Sequence, residues 1–139
     1  MRRKLALIVV TVAGMGLLLA ARPVMAHHAF AAEFDAGRPV QVTGTVVKVE
    51  WINPHAWFHI DVKGPDGKVV RWMVEAGTPN TLYRRGFTKD ALAMGTVIKV
   101  DGYGSKDGSN RMNGRDMTLP DGKTLFMGSS GTGAPTDKP

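Results

Sequence analysis

Between residues 40 and 127 several stretches alternate apolar and polar positions with the two-residue period of β-strands. Val40 to Trp51 is rich in β-branched residues. Thr43, Thr45, Val47, Val49 and Trp51 share one parity, and Val42, Gly44, Val46, Lys48 and Glu50 the other. Gly44, in the middle of this long strand, permits the bend or bulge that a small barrel needs. Ile52-Asn53-Pro54 turns the chain, since asparagine before proline favours turn initiation. Ala56 to Lys63 is a second strand with Phe58, Ile60 and Val62 on one face and His55, Trp57, His59 and Asp61 on the other. Gly64-Pro65-Asp66-Gly67 is a tight turn. Lys68 to Glu75 is the third strand, with Val70, Trp72 and Val74 on one parity and Val69, Arg71, Met73 and Glu75 on the other.

The pattern then changes. Thr78 reads as a helix cap and Pro79 as the first helical position, followed by a short helix from Asn80 to Arg85 that Gly86 ends. Thr88 is placed to cap one further turn, Lys89 to Met94. A fourth strand runs from Thr96 to Tyr103, with Val97, Ile98 and Val100 as its apolar members. Arg111 to Leu119 is a fifth strand, less apolar and therefore expected at an edge. Pro120-Asp121-Gly122-Lys123 repeats the turn chemistry, and Thr124 to Met127 pairs back as a short strand.

Three strands, a short helix and two more strands predict a mainly β fold. The arrangement they fit is a small five-stranded Greek-key barrel of the oligonucleotide/oligosaccharide-binding (OB) type, with the helix between strands three and four. A β-sandwich is the alternative, but it ordinarily needs about seven strands.

Ahead of this domain, Arg2, Arg3 and Lys4 precede an apolar run from Leu5 to Ala21, and Val24-Met25-Ala26 has the small residues of a cleavage site. Residues 1–26 are thus expected to be a signal peptide, and residues 27–38 a lead-in that Phe30 and Phe34 pin to the domain as one face of a helical turn. Asp35-Ala36-Gly37-Arg38-Pro39 breaks that pattern before the first strand. The barrel domain then spans 39–127, and the glycine-, serine-, threonine- and proline-rich stretch 128–139 reads as a disordered tail. Past the signal no apolar run approaches the ~18 residues needed to span a bilayer. The expected location is the periplasm, with no membrane association after cleavage.

Composition narrows the chemistry. The whole chain carries a formal charge of +6, but four of its 18 basic residues leave with the signal and none of its 12 acidic residues does, which leaves +2. That balance gives no field for nucleic acid. There is no cysteine, which excludes disulfides, a thiol nucleophile and a thiolate metal cage. Cutting after Ala26 would make His27 the first residue, so that a free amine and the imidazoles of His27 and His28 lie within two residues. Such a nitrogen cluster suits copper(II) best among the divalent first-row metals.

His55 or His59 would supplement that site. On a strand both project from the face that carries Trp57, but ~3.3 Å per residue sets their α-carbons 13 Å apart, too far for one metal unless the turn at Pro54 folds His55 back. A plainer alternative has His27 and His28 solvated and His55 and His59 lying beside Trp57 as surface aromatics. Met73, Met94, Met112, Met117 and Met127 are scattered, and most of them read as core filler. Trp51 and Trp72 are expected in the core and Trp57 outward, where it offers a stacking surface for a small ligand or an envelope protein. Glu75 with Arg71 reads as a surface ion pair. No Gly-x-Ser-x-Gly elbow, P-loop or His-Glu-x-x-His motif is present, so the chain reads as a binding domain and not an enzyme. A copper oxidase using a histidine brace at His27 is the one enzymatic alternative.

Several segments together resemble a family of secreted bacterial proteins that carries a domain-of-unknown-function label. They are His27-His28-Ala29-Phe30-Ala31-Ala32-Glu33-Phe34-Asp35, Thr43-Gly44-Thr45-Val46 and Trp51-Ile52-Asn53-Pro54-His55-Ala56. Gly77-Thr78-Pro79-Asn80, Arg84-Arg85-Gly86 and Lys106-Asp107-Gly108-Ser109-Asn110 belong with them. The resemblance implies export and a small β-rich domain, and it carries no catalytic residue. The expectation is an exported binding domain for copper or another transition metal through His27, His28, His55 and His59. The alternative is a metal-free envelope module that binds on the Trp57 face.

Overall fold

The computed structural model describes residues 30–128. The expected signal peptide, His27, His28 and the tail from residue 129 onward lie outside the described residues. From Phe34 onward the described elements run in the order β1 Phe34–Glu50, β2 Trp57–Lys63, β3 Val69–Glu75, the short helix α1 Pro79–Arg84, the 3₁₀ turn Lys89–Ala91, β4 Val97–Ser105, β5 Arg111–Thr118 and β6 Thr124–Phe126. The strands pair in the order β3-β2-β1-β4-β5-β6, and a parallel pairing between β3 and β5 joins the ends of the first five into a ring. This is the mainly β, OB-like strand order expected from the sequence, with the helix between strands three and four.

The ring corrects one expectation directly. β5 is not an edge: it pairs with β4, with β6 and with β3. Its low apolar content misled because its inward positions are Met112, Gly114 and Met117, and the two methionines are fully buried. Methionine fills irregular space on a face that a count of β-branched residues does not register. Met127 is buried as well, whereas Met94 is exposed.

β1 begins earlier than the sequence suggested. Phe34 pairs with Ser105 of β4, the register slips between Phe34 and Pro39, and regular pairing resumes from Pro39 with Tyr103. Asp35 to Arg38 therefore interrupts the ladder without ending the strand. Val42 and Val46 face the core. A bulge opposite β2 falls between Val46 and Lys48, after which Val49 takes over the inward role. Gly44 serves a different purpose from the expected bulge: a Cβ there would lie 2.7 Å from the Asp61 carbonyl oxygen. It allows β1 and β2 to approach.

Phe58, Ile60, Val74, Ile98 and Val100 fill the interior, each contributing about 1.5–3 kcal/mol by leaving water. Trp51 and Trp72 are half-buried against this core, Trp51 stacking on Phe87 at 6.0 Å. α1 forms as expected, with Thr78 accepting from the Thr81 amide and Leu82 buried, and Gly86 at a positive φ follows its end. Thr88 makes no side-chain cap on the shorter turn after it.

Residues 30–33 are helical. Phe30, Phe34 and Tyr103 form a second buried cluster apart from the main core, with Phe30 edge-on to Tyr103 at 5.6 Å. The Lys106 amide donates to the Glu33 carbonyl, and Arg38 donates to the Ser105 carbonyl. The two phenylalanines thus do pin the lead-in. Among the described residues no helix is long and apolar enough to cross a membrane.

Candidate functional site

The alternation of β2 buries Phe58 and Ile60 and turns Trp57, His59 and Asp61 to the other face. Pairing with β3 sets Glu75 opposite Trp57, Met73 opposite His59 and Arg71 opposite Asp61. The ladder continues past the end of β2: the Ala76 amide donates to the Ala56 carbonyl, and the Ala56 amide to the Gly77 carbonyl. The turn Asn53-Pro54, whose peptide bond is cis, delivers the chain to this point. These backbone bonds hold His55 beside Glu75 and Ala76.

Around that junction lies a cavity of about 320 Å³ lined by Glu33, Ile52, Asn53, Pro54, His55, Trp57 and Glu75. His55 Nδ1 is 3.1 Å from the Ala76 carbonyl oxygen and 3.2 Å from Glu75 Oε1. A carbonyl oxygen only accepts, so Nδ1 carries a proton, and in neutral His55 the lone pair is on Nε2. Glu75 is 7% exposed. Burial pushes its carboxyl above the ordinary value; the neighbouring His55 pulls it down, Glu33 adds to the rise and Arg111 opposes it.

Glu33 reaches this site from the lead-in. Its carboxylate accepts from Arg111 Nη2 at 2.6 Å. The Arg111 guanidinium also lies 5.4 Å from the centre of the Trp57 ring and 5.9 Å from that of Phe34, within the range of cation–π attraction. Arg111 so ties the lead-in, β5 and the Trp57 face together.

The sequence placed Glu75 in a surface pair with Arg71, and the structure corrects this. Arg71 donates two hydrogen bonds to Asp61, at 2.8 and 3.0 Å. Glu75 is buried and faces His55. Shared parity on β3 suggested the pairing with Arg71, but the cross-strand register decides it, and that register is not readable from one strand alone. Glu33 and Arg111 were missed for the same reason, since 78 residues separate them.

His55 and His59 are not brought to one point. His59 Nε2 is buried without a hydrogen-bond partner, 3.5 Å from Glu50 Oε1. That carboxylate is engaged by Lys48, whose hydrogen bond is the largest influence holding Glu50 below its ordinary value. Neither histidine is a surface aromatic, as both side chains are largely buried. Trp57 is half-buried. Among the described residues, no three of His, Asp and Glu are grouped as a metal would require.

A second cavity, about 220 Å³, lies beside Pro39, Gln41, Asp101, Tyr103 and Arg115. On its wall Gln41 donates to Asp101, and Arg115 donates to Asp116. No curated protein matches the chain. Residues 15–114 match the model of a family of unknown function, DUF6152, and the chain belongs to that family.

Proposed function

We propose that this chain is an exported binding domain that holds a transition-metal ion, copper(II) foremost. In this reading cleavage after Ala26 frees the His27 amine in a bacterial envelope, and His27, His28 and His55 supply the nitrogen donors. The observation that carries it is the presentation of His55: Nδ1 is committed to the Ala76 carbonyl, which leaves Nε2 for a ligand on the wall of a cavity. Glu33 lines the same cavity and stands three residues after the buried Phe30. His28 and His27 precede Phe30 by two and three residues in the sequence, and this reading has them reach the corner that Glu33 lines. Neutral imidazoles and an amine favour copper(II) over zinc and nickel. His59, beside Glu50, has no part in it.

The test is calorimetric titration of copper(II) into mature protein whose first residue is His27, alongside the same protein with one residue added before it. Tight one-to-one binding that weakens at least tenfold on extension supports the terminal site. Equal binding in both, or none in either, contradicts it.

A second reading draws on the cavity itself. The Trp57 ring, Ile52 and Pro54 give it an apolar wall, which suits a metal-free envelope module that binds a small ligand or a protein segment. Such binding would survive extension of the terminus and fall on replacing Trp57 by alanine.

A further inference from the structure

We infer that Glu75 is a positioning residue for His55: with the Ala76 carbonyl it keeps the imidazole proton on Nδ1 and so presents Nε2 as the donor nitrogen. The assignment rests on the metal reading for its purpose, but not for its geometry. Glu75 and Ala76 are consecutive at the end of β3, and both place an acceptor within 3.2 Å of the same ring nitrogen. The backbone bonds between Ala56 and residues 76 and 77 fix the spacing. A carboxylate behind the non-coordinating nitrogen orients the ring and raises the basicity of the coordinating one, the arrangement common behind metal-bound histidines.

The burial of Glu75 is otherwise hard to account for. A carboxylate at 7% exposure is costly unless its charge is used. Its sequence neighbour on the same face, Arg71, is turned to Asp61 instead. Arg111, on the adjoining β5, bears on Glu75 through its charge but gives its hydrogen bond to Glu33. His55 is the group that Glu75 addresses.

The experiment uses the mature protein and its Glu75→Gln variant. In metal-free protein at a pH where His55 is neutral, ¹⁵N spectra of the ring are expected to show Nδ1 protonated and Nε2 bare. In the variant the fraction with the proton on Nε2 rises roughly fivefold as the charge-assisted contact is lost. Copper(II) affinity falls ten- to a hundredfold, while the melting temperature does not drop, because a buried charge has been removed. The opposite tautomer in the wild type, or an unchanged ratio in the variant, overturns the role of Glu75. Copper affinity equal in the two proteins overturns its service to the metal. Failure of the wild type to bind copper overturns the metal reading itself, and the ring spectra still decide what Glu75 does.

Discussion

At the scale of single residues, the two histidines of the second strand region show how one sequence pattern hides two different environments. His55 has its Nδ1 committed and a lone pair to offer. His59 has a buried nitrogen with no hydrogen bond at all, beside a Glu50 already held by Lys48. An unsatisfied buried polar atom costs about 1–3 kcal/mol. Replacing His59 by phenylalanine removes that atom and keeps a ring opposite Met73. The variant is expected to match or exceed the wild type in stability, by up to about 1 kcal/mol in urea unfolding, and to bind copper unchanged. A loss of more than about 1 kcal/mol, or weakened copper binding, would show that the Glu50–His59 contact carries more than its length suggests.

At the scale of elements, the tightest constraint is the meeting of β4 and β5. The register slips between Asp101 and Gly102, and a Cβ on Gly102 would fall 2.0 Å from the Asn113 carbonyl oxygen. Backbone cannot yield as a side-chain tip can. Gly102→Ala should therefore cost at least ~2 kcal/mol by thermal or urea unfolding, through overpacking of the strand pair. Gly37→Ala is the contrast: its Cβ would meet only the Asp35 side chain, at 3.3 Å. That change should stay within about 0.5 kcal/mol. Similar losses from both substitutions would mean that β4 and β5 are not joined as described. The same pair of strands explains a limit of sequence reading. Alternation in Val97 to Val100 is plain, but beyond the bulge Tyr103 belongs to a different cluster from Ile98 and Val100. Period-two reasoning cannot foresee where a bulge changes the face.

At the scale of the whole molecule, the ring of strands was legible and the site was only half so. Clean alternation in Phe58, Ile60 and Val62, turn chemistry at Gly64 to Gly67, and the Thr78-Pro79 helix start each act locally, and together they fixed strand number and order. Glu33, Glu75 and Arg111 come from three distant parts of the chain, and only closure of β3 on β5 and docking of Phe30 and Phe34 bring them near Trp57. No local pattern encodes such a meeting. His55 was legible as a candidate because it is a histidine on the Trp57 face, beside a turn at Pro54 that could fold it back. Its partner carboxylate was not.

In the proposed reading the freed terminus and the His55 cavity share one metal. The most direct test is the electron paramagnetic resonance spectrum of one equivalent of copper(II) in mature protein beginning at His27, compared with its His55→Gln variant. A shared site predicts that the variant spectrum loses one imidazole nitrogen coupling and shifts its copper hyperfine splitting. Superimposable spectra would contradict the claim, leaving any copper on the terminal histidines alone and the cavity beside Trp57 for another ligand.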